Sequence, residues 1–373
     1  MKQRVKTVCV DPEGGQLKED VDMKFVRNAW YVAGWAREFD RTLRRFTILG
    51  DDIVMYRGED GQVCGLRDRC PHRQLPLSKG HLMAGDAIQC GYHGLTFSKA
   101  GACIRAPGQD NIPKASVHAY PLHETNDIVW IWMGEADLAN LDDIFSLSEF
   151  ADPQWHAHQG DALHLKSHYL NVAENLVDPA HVSFVHPTTL GNAASEDVPV
   201  HADVQGDVIV AWRWIRDAPP VGFFQKFGGF TGNVDRWHYY YLHLPSIAVI
   251  DFGSADAALD LPEDQRHQGV RVFALHFLTP VDDTNTIDRW MHLRNVAIDD
   301  EKVSESMDAM FRVAFNEDKD ILEAIQLEEL KPQDHRPVRL AFDKGPNVYR
   351  SRIDKLLHAE QTGNEGWAQT ETG

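Results

Sequence analysis

Two short segments, Cys70-Pro71-His72 and Cys90-Gly91-Tyr92-His93, constrain this chain more than any other feature. Seventeen residues separate them. Each supplies one thiolate and one imidazole from a tight loop, and the two loops have to meet if the four side chains share a site. Zinc fingers space their ligands differently, as Cys-x₂₋₄-Cys with His-x₃₋₅-His, which leaves structural zinc as the alternative reading. One Cys and one His per loop suits a [2Fe–2S] centre in which two Cys hold one iron and two His hold the other.

Composition fits metal-centred chemistry in an ordinary globular chain. With 373 residues, 43% of them hydrophobic, two or three domains are expected. The 37 basic and 56 acidic residues give a charge of −19, which argues against nucleic acid and anionic membrane surfaces as partners. Charges throughout the first 22 residues and the lack of a long apolar run predict a cytoplasmic protein. Five cysteines are too few and too scattered for a disulfide framework, and Cys9, Cys64 and Cys103 receive no role.

Along the chain, residues 1–23 are polar, contain Pro12 and the Gly14-Gly15 pair, and are expected to be a flexible extension; 361–373 are expected to be a flexible tail. From Phe25 to Gly134, runs such as Phe46–Leu49, Ile53–Tyr56 and Ile128–Met133 alternate with turn residues, predicting an all-β domain over 24–138. An acidic, turn-rich stretch from Glu135 to Gln159 leads into a second domain over 139–360. There a helix over Asn171–His186 precedes strands over Val208–Ile215, Trp237–Phe252, Val270–Pro280 and Ile287–Val296, then a helix over Lys302–Leu330. The fold class is α+β with an antiparallel sheet.

A cluster that stores one electron leaves the second domain to be explained. His181 and His186 supply half of a two-His, one-carboxylate iron site, the kind that keeps positions open for O₂. Five residues on a regular helix diverge by about 140°. Pro187, however, pushes His186 out of helical geometry, so the helix can end there and the ring can turn back. Two ordinary histidines at a helix end remain the alternative.

For the carboxylate, Glu317, Asp318, Asp320 and Glu323 compete. At about 100° per residue, Phe311, Ala314, Phe315, Ile321, Leu322 and Ile325 form one apolar stripe centred on Asp318. Glu317 and Lys319 flank it, while Asp320 and Glu323 face away. A carboxylate on a core-facing stripe has to be paired or metal-bound, so Asp318 is the candidate, with a buried salt bridge as the alternative. Asp178 before Pro179 is a good helix N-cap.

Cys70-Pro71-His72-Arg73, Pro76-Leu77-Ser78, Gly80 and Cys90-Gly91-Tyr92-His93-Gly94 resemble the Rieske non-haem iron oxygenases, as does Asn316-Glu317-Asp318-Lys319 followed by Ile321-Leu322-Glu323-Ala324. Phe25-Val-Arg-Asn-Ala-Trp-Tyr-Val-Ala33 resembles the vanillate and dicamba O-demethylase branch. The resemblance runs from Phe25 to beyond Leu330. It implies a Rieske domain followed by a helix-grip-like catalytic domain. It further implies a homotrimer without a small β subunit, electrons from NAD(P)H through a separate reductase or ferredoxin, and O₂ as co-substrate. Under it, Asp178 bridges the mononuclear iron to a cluster histidine of the neighbouring subunit. His238, His276 and Asn175 become candidate contacts to a small aromatic substrate, oxidised by demethylation or hydroxylation. Ring or heterocycle hydroxylation stays open, as does a simple electron carrier.

Overall fold

The computed structural model describes residues 24–187, 189–191, 193–332 and 337–363. The expected N-terminal extension, Cys9 and nearly all of the expected tail lie outside them. Ten strands form the first part: β1 Trp30–Trp35, β2 Arg44–Ile48, β3 Asp51–Arg57, β4 Val63–Arg67, β5 His81–Leu82, β6 Ile88–Gln89, β7 Thr96–Phe97, β8 Cys103–Arg105, β9 Leu122–Thr125 and β10 Ile128–Trp132. They make three small antiparallel sheets, ordered β1-β10-β9, β2-β3-β4 and β5-β6-β7-β8. The two metal-ligand loops leave this last sheet and its approach.

The second part is one seven-stranded antiparallel sheet with helices. Its strands are β11 His156–Leu165, β12 His201–Gln205, β13 Val208–Ala218, β14 Val234–His243, β15 Ile247–Asp256, β16 Val270–Asp282 and β17 Asn285–Arg294, ordered β11-β17-β16-β15-β14-β13-β12. The helices are α1 Tyr169–Asn175, α2 Val182–Val185, α3 Gly222–Phe227, α4 Glu301–Glu329 and α5 Lys344–Thr362. Among the described residues no helix is long and apolar enough to cross a membrane.

Strand alternation decides what each sheet face covers. Ile247, Val249, Phe273, Leu275 and Phe277 pack against Trp30, Val32, Trp35 and Trp130 of the first part. Their neighbours Ala248, Ile250, Ala274 and Leu278 turn the other way, toward Tyr169, Val172, Leu322, Tyr349 and Ile353 of the helices. Both faces are covered, so β14 to β16 are nearly continuously buried. The all-β first domain and the α+β second domain are present as expected.

Three local expectations need correction. Trp237–Phe252 is not one strand: β14 ends at His243 and β15 begins at Ile247, because Leu244-Pro245-Ser246 makes a turn and proline cannot donate to a ladder. The helix expected over Asn171–His186 is two, α1 and α2, broken at Leu176–His181 around Pro179. Asp178 is therefore no helix N-cap; α2 starts after His181, and Asp178 Oδ1 instead accepts the Ala180 N–H at 2.8 Å in a local turn.

The third correction concerns α4. Val303, Met307, Phe311, Ala314, Phe315, Asp318 and Leu322 are buried on it, but Ile321 and Ile325 are 46% and 43% exposed. The last turns of α4 pack on the segment that joins β11 to α1. There Glu323 accepts the Lys166 N–H at 2.9 Å and Gln326 the His168 N–H at 2.6 Å, so Glu323 does not face away. Meeting those backbone amides, which no strand or helix backbone partner satisfies among the described residues, turns the contact face and leaves the two isoleucines outside.

Candidate active site

The loops at Cys70 and Cys90 have the same backbone design. Cys70 N–H donates to Leu75 O at 2.9 Å and Gln74 N–H returns to Cys70 O at 2.9 Å; the matching bonds are Cys90 to Leu95 at 2.8 Å and Gly94 to Cys90 at 3.1 Å. Gln74 and Gly94 occupy the equivalent left-handed positions, φ 61° and 72°. Both cysteines are buried, whereas His72 and His93 are exposed with ring centroids 4.6 Å apart.

Burial pushes the Cys70 thiol up, the Cys90 sulfur beside it adds to that, and the amides of His72 and Arg73 point at the same sulfur and pull it back. Two buried sulfurs facing each other below two exposed imidazoles can hold a two-iron cluster with its histidine-bound iron outermost. The donor set and its asymmetry fit such a group.

Fifteen-odd residues past β11, the turn between α1 and α2 aims His181 inward, and the end of α2 turns His186 back beside it. His186 has φ −117° and ψ 47°, outside helical geometry, as Pro187 requires. His181 Nε2 lies 3.5 Å and His186 Nε2 3.1 Å from the same Asp318 Oδ1 on α4. Ligand atoms about 2.1 Å from one ion stand about 3–3.4 Å apart, so the three groups fit a single metal.

Two further side chains hold this corner. Asn175 donates to Asp318 Oδ1 at 3.1 Å, and Glu317 Oε2 lies 2.8 Å from His186 Nδ1. Burial pushes the Asp318 carboxyl up, but the hydrogen bond to His186, the charge of His181 and the Asn175 amide outweigh it and hold the acid below its usual range. Burial lowers His181. Asp178 is raised by burial, and its Oδ2 lies 3.9 Å from His181 Nδ1, which has no hydrogen-bond partner among the described residues.

Glu317 was expected only to flank the stripe; its partner makes it the carboxylate that fixes His186. With Nδ1–H donating to Glu317, Nε2 carries the lone pair that can face a metal. Glu317→Ala should weaken retention of the mononuclear metal about 10–100-fold, measured by chelator competition, with the cluster absorption unchanged. Iron retention equal to wild type would remove Glu317 from this role.

From the triad a pocket runs between α4 and the sheet, lined by Asn175, His181, His186, Phe223, Phe224, Arg236, His238, Tyr240, Phe252, His276, Phe315 and Asp318 among others. All three expected substrate-contact positions, His238, His276 and Asn175, lie on it. His276 Nδ1 is 2.8 Å from Asp288 Oδ2, and its ring stands edge-on to Phe315 at 4.7 Å. Burial, with the charges of Arg213 and Arg236, holds His238 well below the usual imidazole value, so it is neutral.

Arg236 is the wall residue that sequence reasoning missed. Arg236, His238 and Tyr240 alternate on β14, and a charged residue in the inward phase of a strand is the signal that could have found it. Burial pushes Arg236 down to about 10, still charged at neutral pH.

One electron held at the first centre has a use only where a second centre takes it up, and the second centre here closes an aromatic pocket. That layout defines a terminal oxygenase. Residues 29–121 match the Rieske [2Fe-2S] domain and 165–359 the vanillate O-demethylase oxygenase C-terminal domain. The toluene-4-sulfonate monooxygenase system iron-sulfur subunit of Comamonas testosteroni is 36% identical over 91% of this chain and 99% of its own length. A vanillate O-demethylase oxygenase subunit from a Pseudomonas species is 32% identical over 90% and 96%.

Among solved structures, dicamba monooxygenase bound to dicamba superposes with a TM-score of 0.81 at 29% identity, covering 91% of this chain and 99% of that one. The chain belongs to the Rieske non-haem iron oxygenases of the vanillate O-demethylase type. It is the oxygenase component of a Rieske monooxygenase system, with a [2Fe–2S] cluster and a mononuclear non-haem iron as cofactors.

Proposed function

We propose that this oxygenase acts on a small aromatic molecule bearing an acidic group and oxidises it at a methyl or methoxy carbon. One observation carries the reading: Arg236 and His238 enter, from adjacent inward positions of β14, a largely apolar pocket, part aromatic and part aliphatic, that ends on His181, His186 and Asp318. A buried guanidinium in an apolar wall suits a carboxylate or sulfonate, whose charge it balances and whose oxygens it can bind in pairs. Phe223, Phe224, Phe252 and Phe315 then hold the ring, with its far end toward the triad. Relatives named for toluene-4-sulfonate and vanillate agree with that class.

In this reading 24–138 is the electron-accepting domain, with Cys70, Cys90, His72 and His93 holding the cluster. Residues 139–360 form the catalytic domain, with His181, His186 and Asp318 holding the iron. When bound, the two groups supply electrons and the place where O₂ is reduced. Glu317 accepts the Nδ1–H of His186 and so keeps that proton on the ring, Asn175 orients Asp318, and the phenylalanines exclude water. O₂, two electrons and two protons convert a C–H to C–OH and water; a hydroxylated methoxy group then releases formaldehyde. The electrons come from NAD(P)H through a separate reductase or ferredoxin, and Asp178 links the two centres between subunits of a homotrimer in the cytoplasm.

A panel of arylsulfonates, arylcarboxylates and neutral arenes with methyl or methoxy groups tests the reading through substrate-dependent O₂ uptake, with formaldehyde measured alongside. Uptake confined to neutral arenes would overturn it. Arg236→Met should raise KM for an anionic substrate about tenfold or more, the loss of one charged hydrogen bond, and change a neutral analogue little. Equal losses on both would make Arg236 a purely structural residue.

A further inference from the structure

Away from the iron corner, β11 carries a second pair of histidines, His156 and His158, whose i, i+2 spacing puts both rings on one face of an edge strand. The first residue of α4, Glu301, reaches over them. Its Oε1 is 3.3 Å from His158 Nδ1 and its Oε2 3.8 Å from His156 Nε2, and the three ligand atoms lie within 4.8 Å of one another. We propose that His156, His158 and Glu301 form a second divalent-metal site, of the class that takes Zn²⁺, pinning the start of α4 to the edge of the sheet. It stands 17 residues from Asp318 on the same helix, about 25 Å along it, so it is separate from the iron site.

The groups behind these ligands are arranged as a metal site's outer partners are. His158 Nε2 lies 3.3 Å from Asp308 Oδ2, which holds one ring proton on the far side, so that an ion taking the place of a proton on Nδ1 meets that nitrogen on the Glu301 side. His292, opposite His158 in the β11–β17 ladder, stacks on it at 5.2 Å and is fully buried. Its Nδ1 points at Asp308 Oδ1 from 4.0 Å, too far for a hydrogen bond, and neither atom has a partner among the described residues. A proton or cation deficit is thereby built into the cluster.

Two imidazoles and one carboxylate select a borderline transition ion over Ca²⁺ or Mg²⁺, which take oxygen ligands. Two features oppose a cation: the N-terminal end of α4 and Arg294, whose Nη1 is 3.5 Å from His292 Nε2. Arg294 donates to Asp300 O at 2.9 Å and to Ser304 Oγ at 2.9 Å, and that oxygen lies 3.3 Å from His156 Nε2, so an ion has to displace Ser304 from His156 while Glu301 with Asp308 supplies the compensating charge. Glu301 and both histidines are partly exposed, so an ion can enter from solvent with a position left for water.

Iron-replete holoenzyme titrated with ZnCl₂ tests the site. The expected result is one Zn²⁺ per chain by calorimetry, a Tm that rises with zinc, and anomalous density between the three side chains in zinc-soaked crystals. His156→Gln/His158→Gln should weaken zinc binding about tenfold or more and abolish the Tm rise, with iron content and O₂ uptake unchanged. Glu301→Gln, at a solvent-exposed side chain, should weaken binding likewise and serves as the second variant if the double one misfolds. Zinc affinity equal to wild type in Glu301→Gln, or crystals with zinc density elsewhere only, would overturn the proposal.

Discussion

Asp318→Ala should leave the visible absorption of the Rieske cluster intact while iron falls from about three to about two per chain, the counts for a two-iron cluster with and without a mononuclear site. Oxygen uptake should drop more than 100-fold, because losing a ligand exceeds the 10–100-fold cost of losing an outer partner. The geometry sets this expectation. One atom, Asp318 Oδ1, receives Asn175 and faces both imidazoles at 3.1 and 3.5 Å, so truncation removes the vertex of the triad. It also leaves the Asn175 amide and His186 without that acceptor in a buried corner, and about 1–3 kcal/mol of stability should go with it. Iron analysis, optical spectroscopy and substrate-dependent O₂ uptake on one iron-replete preparation decide the matter. Activity within tenfold of wild type would take the ligand role away from Asp318, and Glu317, the other carboxylate at His186, would inherit it.

The candidate ligands were legible in the sequence because each obeys a local rule. Cys70, His72, Cys90 and His93 announce themselves by spacing within short loops, and Pro187 makes the odd His181–His186 interval possible. Asp318 follows from helical phase, and its burial bears that out. The same phase argument misjudged Ile321, Ile325 and Glu323, because the last turns of α4 answer to the backbone amides of Lys166 and His168, a contact between distant segments.

Two elements went unassigned in the sequence. β11, His-Ala-His-Gln-Gly-Asp-Ala-Leu-His-Leu, is an edge strand with few apolar residues, so its start was absorbed into the expected connection Glu135–Gln159. α5 buries Tyr349 and Ile353 and packs the partly buried Val348, Leu356 and Leu357 against the same core, a short helical stripe that the sequence reading passed over, and the Tyr349 hydroxyl adds a bond to Pro245 O at 2.8 Å. Glu317 and Arg236 show the remaining limit. A sequence reveals that a charge sits near a buried face, but its partner comes from another element, here His186 and the pocket.

Asp178→Asn should give a folded protein with both metal centres filled whose electron transfer between them is lost. The side chain has two separable parts. Oδ1 accepts the Ala180 N–H at 2.8 Å and shapes the turn that delivers His181; the amide oxygen of asparagine can do the same, so that turn survives. Oδ2 belongs to a half-buried carboxylate 3.9 Å from His181 Nδ1, which itself lacks a hydrogen-bond partner among the described residues. A carboxylate there can accept a hydrogen bond from His181 on one side and from a cluster histidine of an adjoining subunit on the other, and asparagine turns one of those acceptors into a donor. Stability should therefore change by less than about 1 kcal/mol, as for exchange of one turn-forming Asx residue for another. Single-turnover reoxidation of the pre-reduced enzyme with substrate and O₂ should slow at least 100-fold, the upper range for removing an outer partner of a metal-bound histidine. Thermal unfolding, iron content and sedimentation of the same variant separate this outcome from a folding or assembly defect. Reoxidation at the wild-type rate in a folded, iron-replete assembly would leave Asp178 with its turn alone and require the electron to reach His181 by another route.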